Sequence, residues 1–110
     1  MINKNIAEAY EREFRKAEIS RKRWEYAEIH TAEFTDDDLE EVKREAIEDE
    51  AELQAIQEQL RTSMADIPDV FARRLAEDHY LRREPIWKLA ERYNYSKSSI
   101  KRYLRMARCE

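Results

Sequence analysis

Apolar side chains recur at intervals of three and four positions along the first 34 residues of the chain. No proline or glycine interrupts the stretch between Ile2 and Phe34. This spacing places side chains on one face of an α-helix. The pattern predicts one long amphipathic helix with a broad face that polar residues interrupt. The apolar positions are Ile6, Tyr10, Ala17, Trp24, Ala27 and Phe34, and the polar ones are Asn3, Glu13, Ser20 and Thr31.

A second helix is predicted from about Asp36 to Ser63. Thr35 is its expected N-cap, and three aspartates follow where carboxylates meet the positive end of the helix dipole. Apolar residues that repeat every seven positions need a partner helix to pack against. That partner is either the first helix, folded back as a hairpin, or the same helix of a second subunit. We favour the hairpin. A second series with the same spacing of seven contains Val42 and Ile56, but Asp49 and Ser63 interrupt it. This interruption argues against a long dimeric zipper. The apolar positions are Leu39, Ala46, Leu53 and Leu60, with Val42 and Ile56 as companions.

Residues 62–68 form a boundary, and the charge of the chain changes sign there. Asp66 is the candidate cap of the next helix, and Pro68 stands near its first position. No later segment alternates in the manner of a β-strand. Three shorter helices are predicted, at about 68–82, 85–93 and 97–108.

The predicted fold class is all-α. Residues 1–66 are expected to form a long acidic helical hairpin for dimerisation or protein contact. Residues 67–110 are expected to form a three-helix unit that contains a helix-turn-helix. Trp24 and Trp87 are predicted to be large apolar anchors of the core.

Residues 85–104 have the spacing of a helix-turn-helix. The small Ala90 lets the second helix cross the first closely. Asn94 stands at the turn position that usually holds glycine, because asparagine tolerates positive φ. Tyr95 is expected to anchor the turn in the core, and Ser96 is expected to cap the second helix. The other side chains predicted to face the core are Ile86, Leu89, Ile100, Tyr103 and Leu104.

The second helix of the helix-turn-helix, which begins after Ser96, carries hydrogen-bond donors and cations but no carboxylate on the face that points away from the core. Short hydroxyls near the helix start can approach base edges or phosphates, and longer cations can reach guanine or the backbone. The alternative is a helical hairpin that is basic for no functional reason. The cap, the turn asparagine and the small alanine all fall in register, which favours a helix that reads the major groove of double-stranded DNA. The outward residues are Lys97, Ser98, Ser99, Lys101, Arg102 and Arg105.

The run from His79 to Ala107 resembles region 4 of bacterial sigma factors, which reads promoters. Its Asn-Tyr-Ser-Lys-Ser turn, residues 94–98, is more closely similar to that of small phage regulators of the ArpU and RinA type, which activate late or packaging genes. The chain departs from the sigma pattern at residues 83–85, Arg-Glu-Pro, where sigma-like domains usually have glycine. The resemblance implies that Ser96 through Arg105 read DNA and that flanking phosphates are contacted by Arg82, Arg83 and Lys88.

Composition excludes several classes of site. The 110 residues contain no glycine, so a P-loop, a dinucleotide fingerprint and a nucleophile elbow are all excluded. We therefore predict no enzyme and no cofactor. The single cysteine, Cys109, has no partner for a disulfide within the chain, which indicates a reducing cytoplasm. The resemblance to phage regulators implies that this is the cytoplasm of a bacterial host. His30 and His79 lie far apart and have no cysteine nearby, so no metal site is predicted.

Net charge conceals a segregation along the sequence. The total is −4. Residues 1–26 carry seven basic and five acidic side chains, residues 27–70 carry three and fifteen, and residues 71–110 carry eleven and five. A basic terminal segment in an acidic chain is typical of a protein in which one part meets a polyanion. The acidic second helix is interpreted as a solvated surface or as a protein-binding face.

The basic helix-turn-helix predicts a sequence-specific DNA-binding protein, and the resemblance implies a transcriptional regulator of phage or prophage origin. No apolar run is long enough to cross a membrane, and the N-terminus lacks the apolar stretch of a signal peptide. The expected partners are double-stranded DNA and, through residues 1–66, a second copy or RNA polymerase. Two alternatives remain open: a protein-interaction factor that binds host RNA polymerase or another regulator, and a DNA-recognition subunit of a phage packaging complex.

Overall fold

The structure, a computed structural model, describes the chain from Ile2 to Cys109, and the side chain of Cys109 lies outside the described part. The described chain is all-α, as predicted, with a pair of long helices before the short ones. A 3₁₀ turn separates the two long helices, and a π-helical turn prolongs α3. The elements are α1 (Lys4–Ile29), the 3₁₀ turn (Thr31–Glu33), α2 (Asp36–Ala65), α3 (Val70–Ala76), the π turn (Glu77–Leu81), α4 (Ile86–Tyr93) and α5 (Lys97–Met106).

The chain divides into two compact units. Residues 9–56 form the first, named here the hairpin unit, which contains most of α1 and α2. The described residues of 1–8 and 57–110 form the second, named here the motif unit, which contains the end of α2 and the three short helices.

Two short strands in the motif unit correct the sequence prediction, which placed residues 2 and 108 in helices. β1 (Ile2–Asn3) pairs in parallel with β2 (Arg108–Cys109). The N–H of Ile2 donates to the carbonyl of Ala107 at 2.9 Å, and the Ile2 side chain is buried. α5 therefore ends two residues before its predicted limit, because its following residues pair with β1.

The connection between α1 and α2 is longer than predicted. α1 ends at Ile29, and the predicted continuation to Phe34 is wrong because a 3₁₀ turn occupies Thr31–Glu33. This narrower geometry turns the chain before α2 begins. Thr35 Oγ1 accepts a hydrogen bond from the N–H of Asp38 at 3.1 Å, which confirms the predicted cap.

Polar residues that interrupt the two apolar series meet inside the hairpin unit. Ser20 Oγ donates to the carboxylate of Asp49, and both side chains are buried. Lys16 Nζ lies 3.4 Å from Asp49 Oδ1 and 3.0 Å from Glu52 Oε2. Its hydrogen bonds to Glu52 and Asp49 raise the pKa of Lys16. Because residue 16 meets residue 52 while residue 20 meets residue 49, α1 and α2 run antiparallel, as the favoured hairpin requires.

The motif unit has an apolar centre to which each short helix contributes. Leu75 of α3, Leu89 of α4, and Ile100 and Leu104 of α5 are buried against one another. This arrangement confirms the predicted inward positions of α4 and α5. The partly buried side chains around the centre are Phe71, Tyr80, Ile86, Ala90, Tyr93 and Tyr103.

Both tryptophans, and the turn tyrosine, are less buried than predicted. Trp87 is 56% exposed, because it follows the half-buried Ile86 by one residue and so lies about 100° further round α4. Trp24 is half-buried, with Lys43 Nζ 5.9 Å from its ring centre. Tyr95 is 44% exposed and packs on the edge of the core, with its ring centre 5.1 Å from that of Phe71.

The cap of α3 is Asp69 and not Asp66. Asp69 Oδ1 accepts a hydrogen bond from the N–H of Ala72 at 2.8 Å. Pro68 precedes this cap instead of opening the helix, and the helix begins two residues later, at Val70. A cap must stand three residues before the N–H that it satisfies, and only the later aspartate does so here.

Two residues other than glycine adopt left-handed backbone in the described chain, Arg83 at φ 58° and Asn94 at φ 57°. Asn94 ends α4, and the N–H of Tyr95 then donates to the carbonyl of Ala90 at 3.0 Å, the hydrogen bond of a helix C-cap. The predicted role of Asn94 is confirmed. Arg83 fulfils the same role ahead of α4, so a chain without glycine makes both reversals with other residues.

Substitution of Asn94 tests this backbone conformation. Asn94→Gly should change the free energy of unfolding by less than about 0.5 kcal/mol, because glycine adopts positive φ without strain. Asn94→Val should lose about 2 kcal/mol, because a β-branched side chain clashes there. Urea denaturation followed by circular dichroism measures both. A valine variant as stable as the parent would contradict the assigned conformation.

Candidate nucleic-acid interface

The start of α5 is shaped by its own serines. Ser96 Oγ accepts a hydrogen bond from the N–H of Ser99 at 3.1 Å, which confirms the predicted cap. The Ser96 hydroxyl also donates to Ser99 Oγ at 3.0 Å. These two hydroxyls therefore hold the first turn of the helix. Ser98 is exposed and is the hydroxyl of this turn that points away from the cap.

The orientation of α5 is set by its buried face. Ile100 and Leu104 are buried, and the Tyr103 ring meets the Phe71 ring edge-on at 4.9 Å between centres. Positions one turn apart on the other side must then face outward. The exposed residues on that side are Lys97, Ser98, Lys101, Arg102 and Arg105.

The cations of this outward face have no carboxylate near them in the sequence. No aspartate or glutamate occurs between Glu91 and Glu110. Within residues 2–109, Lys97, Lys101 and Arg105 take part in no ion pair. Their positive charge is therefore available to an external anion. The set of outward side chains on α5 is named here the basic face.

A groove of about 420 Å³ lies at the far end of the basic face. Arg108, which the sequence reasoning did not select, is one of its lining cations. The Arg108 Nε donates to the hydroxyl of Tyr80 at 3.0 Å. No helical spacing from Lys101 indicated it, because Arg108 belongs to β2 and lies beyond the end of α5. The lining residues are His79, Ile86, Lys101, Leu104, Arg105 and Arg108.

The three cations expected to touch flanking phosphates have different surroundings. Arg82 is held by an ion pair with Asp78, although its side chain is largely exposed. Arg83 provides the left-handed residue of the loop. Lys88 is exposed on α4. The structure thus gives Arg82 and Arg83 a part in building the loop before α4.

A buried carboxylate, Asp78, organises that loop. Asp78 is 1% exposed and accepts hydrogen bonds from the Arg82 guanidinium and, at 2.6 Å, from the hydroxyl of Tyr93. Arg92 Nη1 lies 3.6 Å from the same carboxylate. Because these partners lie on both sides of the loop, the carboxylate joins the π turn to α4. Sequence reasoning missed this set, since no local pattern shows that residues 78, 92 and 93 meet.

Glu84 adds a second carboxylate to the loop. Arg92 donates two hydrogen bonds to its side chain, at 2.5 and 2.7 Å. These bonds hold the pKa of Glu84 below its ordinary value, and they raise the pKa of Arg92. The backbone of Glu84 is also fixed, because its N–H donates to the Asp78 carbonyl at 3.0 Å and its carbonyl accepts from His79 Nδ1 at 2.8 Å. The residue that follows the left-handed Arg83 is thus held by both of its backbone polar groups.

Comparison of the chain with known protein families, with curated protein sequences and with solved structures gives no match. In the described part of the chain, none of the helices combines the length and apolarity that crossing a bilayer requires. The same residues contain no group of three histidine, cysteine or carboxylate side chains placed to hold a metal ion. The functional argument therefore rests on the geometry of the motif unit.

Removal of the Asp78 carboxylate should destabilise the motif unit. Asp78→Ala leaves the half-buried Tyr93 hydroxyl without its acceptor and separates Arg82 and Arg92 from their shared anion. Both guanidiniums are partly exposed and can turn to water, so we expect a loss of about 2 kcal/mol, less than for a fully buried pair. Urea denaturation of Asp78→Ala beside the neighbouring variant Glu77→Ala measures it. Equal stability of the two variants would contradict the assigned role.

Acid should weaken the link between Glu84 and Arg92. A carboxyl group whose pKa is lowered by folding stabilises the protein above its unfolded pKa, and that stabilisation is lost as the pH falls through the folded pKa. Glu84→Gln should therefore be less stable than the parent at pH 7, and the difference should shrink as the pH falls below the ordinary value of 4.5. Denaturation curves across this range test it, with the exposed neighbour Glu91→Gln as the control. A pH-independent difference for Glu84→Gln would contradict the assignment.

Proposed function

We propose that the chain is a sequence-specific, double-stranded DNA-binding protein and that α5 enters the major groove. The observation that carries the proposal is the basic face: five exposed cationic or hydroxyl side chains on a helix whose other face is fixed in the core. Because the helix backbone is already fixed by its packing, it does not have to be ordered when DNA binds, and this lowers the entropic cost of binding.

The dimensions of α5 suit this role. A helix with its side chains is about 10–12 Å across, and the major groove is about 12 Å wide. Lys97 and Arg105 are eight positions apart, which corresponds to about 12 Å along the axis. At about 3.4 Å per base pair, the basic face reaches over three or four base pairs.

Each part of the basic face has a chemistry suited to one part of the DNA. Ser98 and Lys97 stand in the first turn, where a recognition helix approaches base edges. Lys101 and Arg102 lie one turn further, and their side chains are long enough to reach guanine acceptors or phosphates. Arg105 and Arg108 line the groove at the far end, which suits a phosphate of the DNA backbone. Ser96 and Ser99 support this surface by holding the helix start.

A regulatory role follows from the resemblance of residues 79–107 to region 4 of sigma factors and to the ArpU and RinA regulators. On that basis we propose a transcriptional regulator of a phage or prophage, acting in the bacterial cytoplasm by occupying its DNA site and without catalysis. Selection of bound sequences from a random duplex pool tests the sequence specificity directly. A single enriched motif is expected, and recovery of unrelated duplexes would contradict it.

Removal of two central cations tests the basic face. Lys101→Ala combined with Arg102→Ala should lower affinity for the selected duplex by about 10- to 100-fold, because each contact with a base or phosphate contributes about 1 kcal/mol or more. If both side chains contact phosphates, the dependence of log affinity on log salt should also become shallower by about two. Fluorescence anisotropy at several salt concentrations measures both quantities.

The matched control removes two adjacent cations from the hairpin unit. Lys22→Ala combined with Arg23→Ala makes the same change in net charge and should leave affinity within about threefold of the parent. Circular dichroism checks that both double variants remain helical. An unchanged affinity after loss of Lys101 and Arg102, or an equal loss in the control, would show that α5 does not enter the groove.

A further inference from the structure

The hairpin unit leaves an apolar groove open along one side. Its centre is Ile47, which is 60% exposed in the middle of α2. The half-buried Trp24 forms the α1 side, and Ala46 and Ala51 flank the isoleucine on α2. The groove has a volume of about 580 Å³. α1 and α2 form a single layer of two helices. Helices usually bury an apolar face by packing against a second layer, so this groove is suited to a further helix.

The order of charged residues before and after Ile47 indicates which partner the groove binds. Lys43, four positions before Ile47, lines one end of the groove, and Glu50, three positions after it, lines the other. Arg21 of α1 also lines the groove, but its guanidinium lies 3.8 Å from Glu25 of the same helix. The two charges of α2 therefore stand on opposite sides of one apolar centre, so this face of α2 is complementary in charge to a reversed copy of itself.

We propose that two copies of the chain pair through this groove, with their α2 helices antiparallel about a two-fold axis near Ile47. A two-fold contact brings the same surface of both copies together. Ile47 then packs on its equivalent, while Ala46 and Ala51 allow the helices to approach closely. Lys43 of each copy comes to lie opposite Glu50 of the other.

The other side of the hairpin unit is less suited to such a contact. Ile19 is 54% exposed there, beside a groove lined by Ser20 and Asp49. That carboxylate is already bonded to Ser20 and to Lys16 within the chain. A second copy would therefore meet polar groups that have partners, and it would gain less than at the groove around Ile47.

Sedimentation equilibrium of the full chain without DNA tests the pairing, so its outcome is independent of DNA binding. A contact through one groove of one helix pair buries less surface than a stable dimer interface usually does. We therefore expect a dissociation constant of about 1–100 μM. Ile47→Glu should weaken dimerisation by at least about 30-fold, since it places two carboxylates in the apolar centre. Ile19→Glu, with a similarly exposed isoleucine on the other side, should change it by less than about threefold. Circular dichroism verifies folding of both variants.

Charge reversal provides a second measurement that holds even if Ile47→Glu disturbs the fold. Lys43→Glu and Glu50→Lys should each dimerise more weakly than the parent, because each places like charges opposite one another. An equimolar mixture of these two variants should form heterodimers, because both cross-contacts then pair opposite charges. A parent chain that is monomeric at 200 μM, equal losses for Ile47→Glu and Ile19→Glu, or a mixture that dimerises no better than its components would overturn the proposal.

Discussion

The motif unit depends on one buried carboxylate, that of Asp78. A carboxylate almost without solvent contact is unfavourable unless it is surrounded by donors. Asp78 obtains them from Arg82 at the start of the loop and from Tyr93 at the end of α4, with Arg92 close by. The carboxylate thus determines how the chain passes from the π turn into α4. Tyr93 in turn meets Phe71 edge-on at 5.5 Å, and Phe71 meets Tyr103 of α5. The position of the basic face on α5 therefore depends, through Tyr93, Phe71 and Tyr103, on the polar contacts of Asp78.

The features that sequence predicted correctly are those that neighbouring residues determine. Thr35 and Ser96 were identified as caps because a cap bonds an N–H three positions away, and Asn94 because few residues tolerate its backbone conformation. The inward face of α5 followed from helical spacing. By contrast, Trp87 was assigned to the core because of its size, although the predicted inward positions Ile86 and Leu89 of the same helix already turn it about 100° away from Ile86.

The contacts that sequence reasoning missed depend on how the folded chain places its side chains. Arg82 was expected to touch DNA, and no pattern along the chain distinguishes a cation that serves a buried carboxylate from one that meets a phosphate. The pairing of Arg92 was missed for the same reason, because its partner Glu84 lies in the loop before α4, eight residues earlier. In the hairpin unit, Ser20 and Asp49 interrupt two separate apolar series of the sequence. They meet only because the two helices pack side by side.

The bond between Ser20 and Asp49 also fixes how far α2 can slide along α1. A displacement of seven residues would preserve the apolar pattern, yet it would set the Asp49 carboxylate opposite either Ala27 or Glu13 instead of a hydroxyl. One neighbour offers no hydrogen-bond donor and the other repels it, so both shifted alignments are penalised. An apolar pair at these positions would bury more hydrocarbon but would tolerate several alignments. A single polar pair therefore selects one alignment of the hairpin, at the expense of some of the stability that a continuous apolar seam would provide.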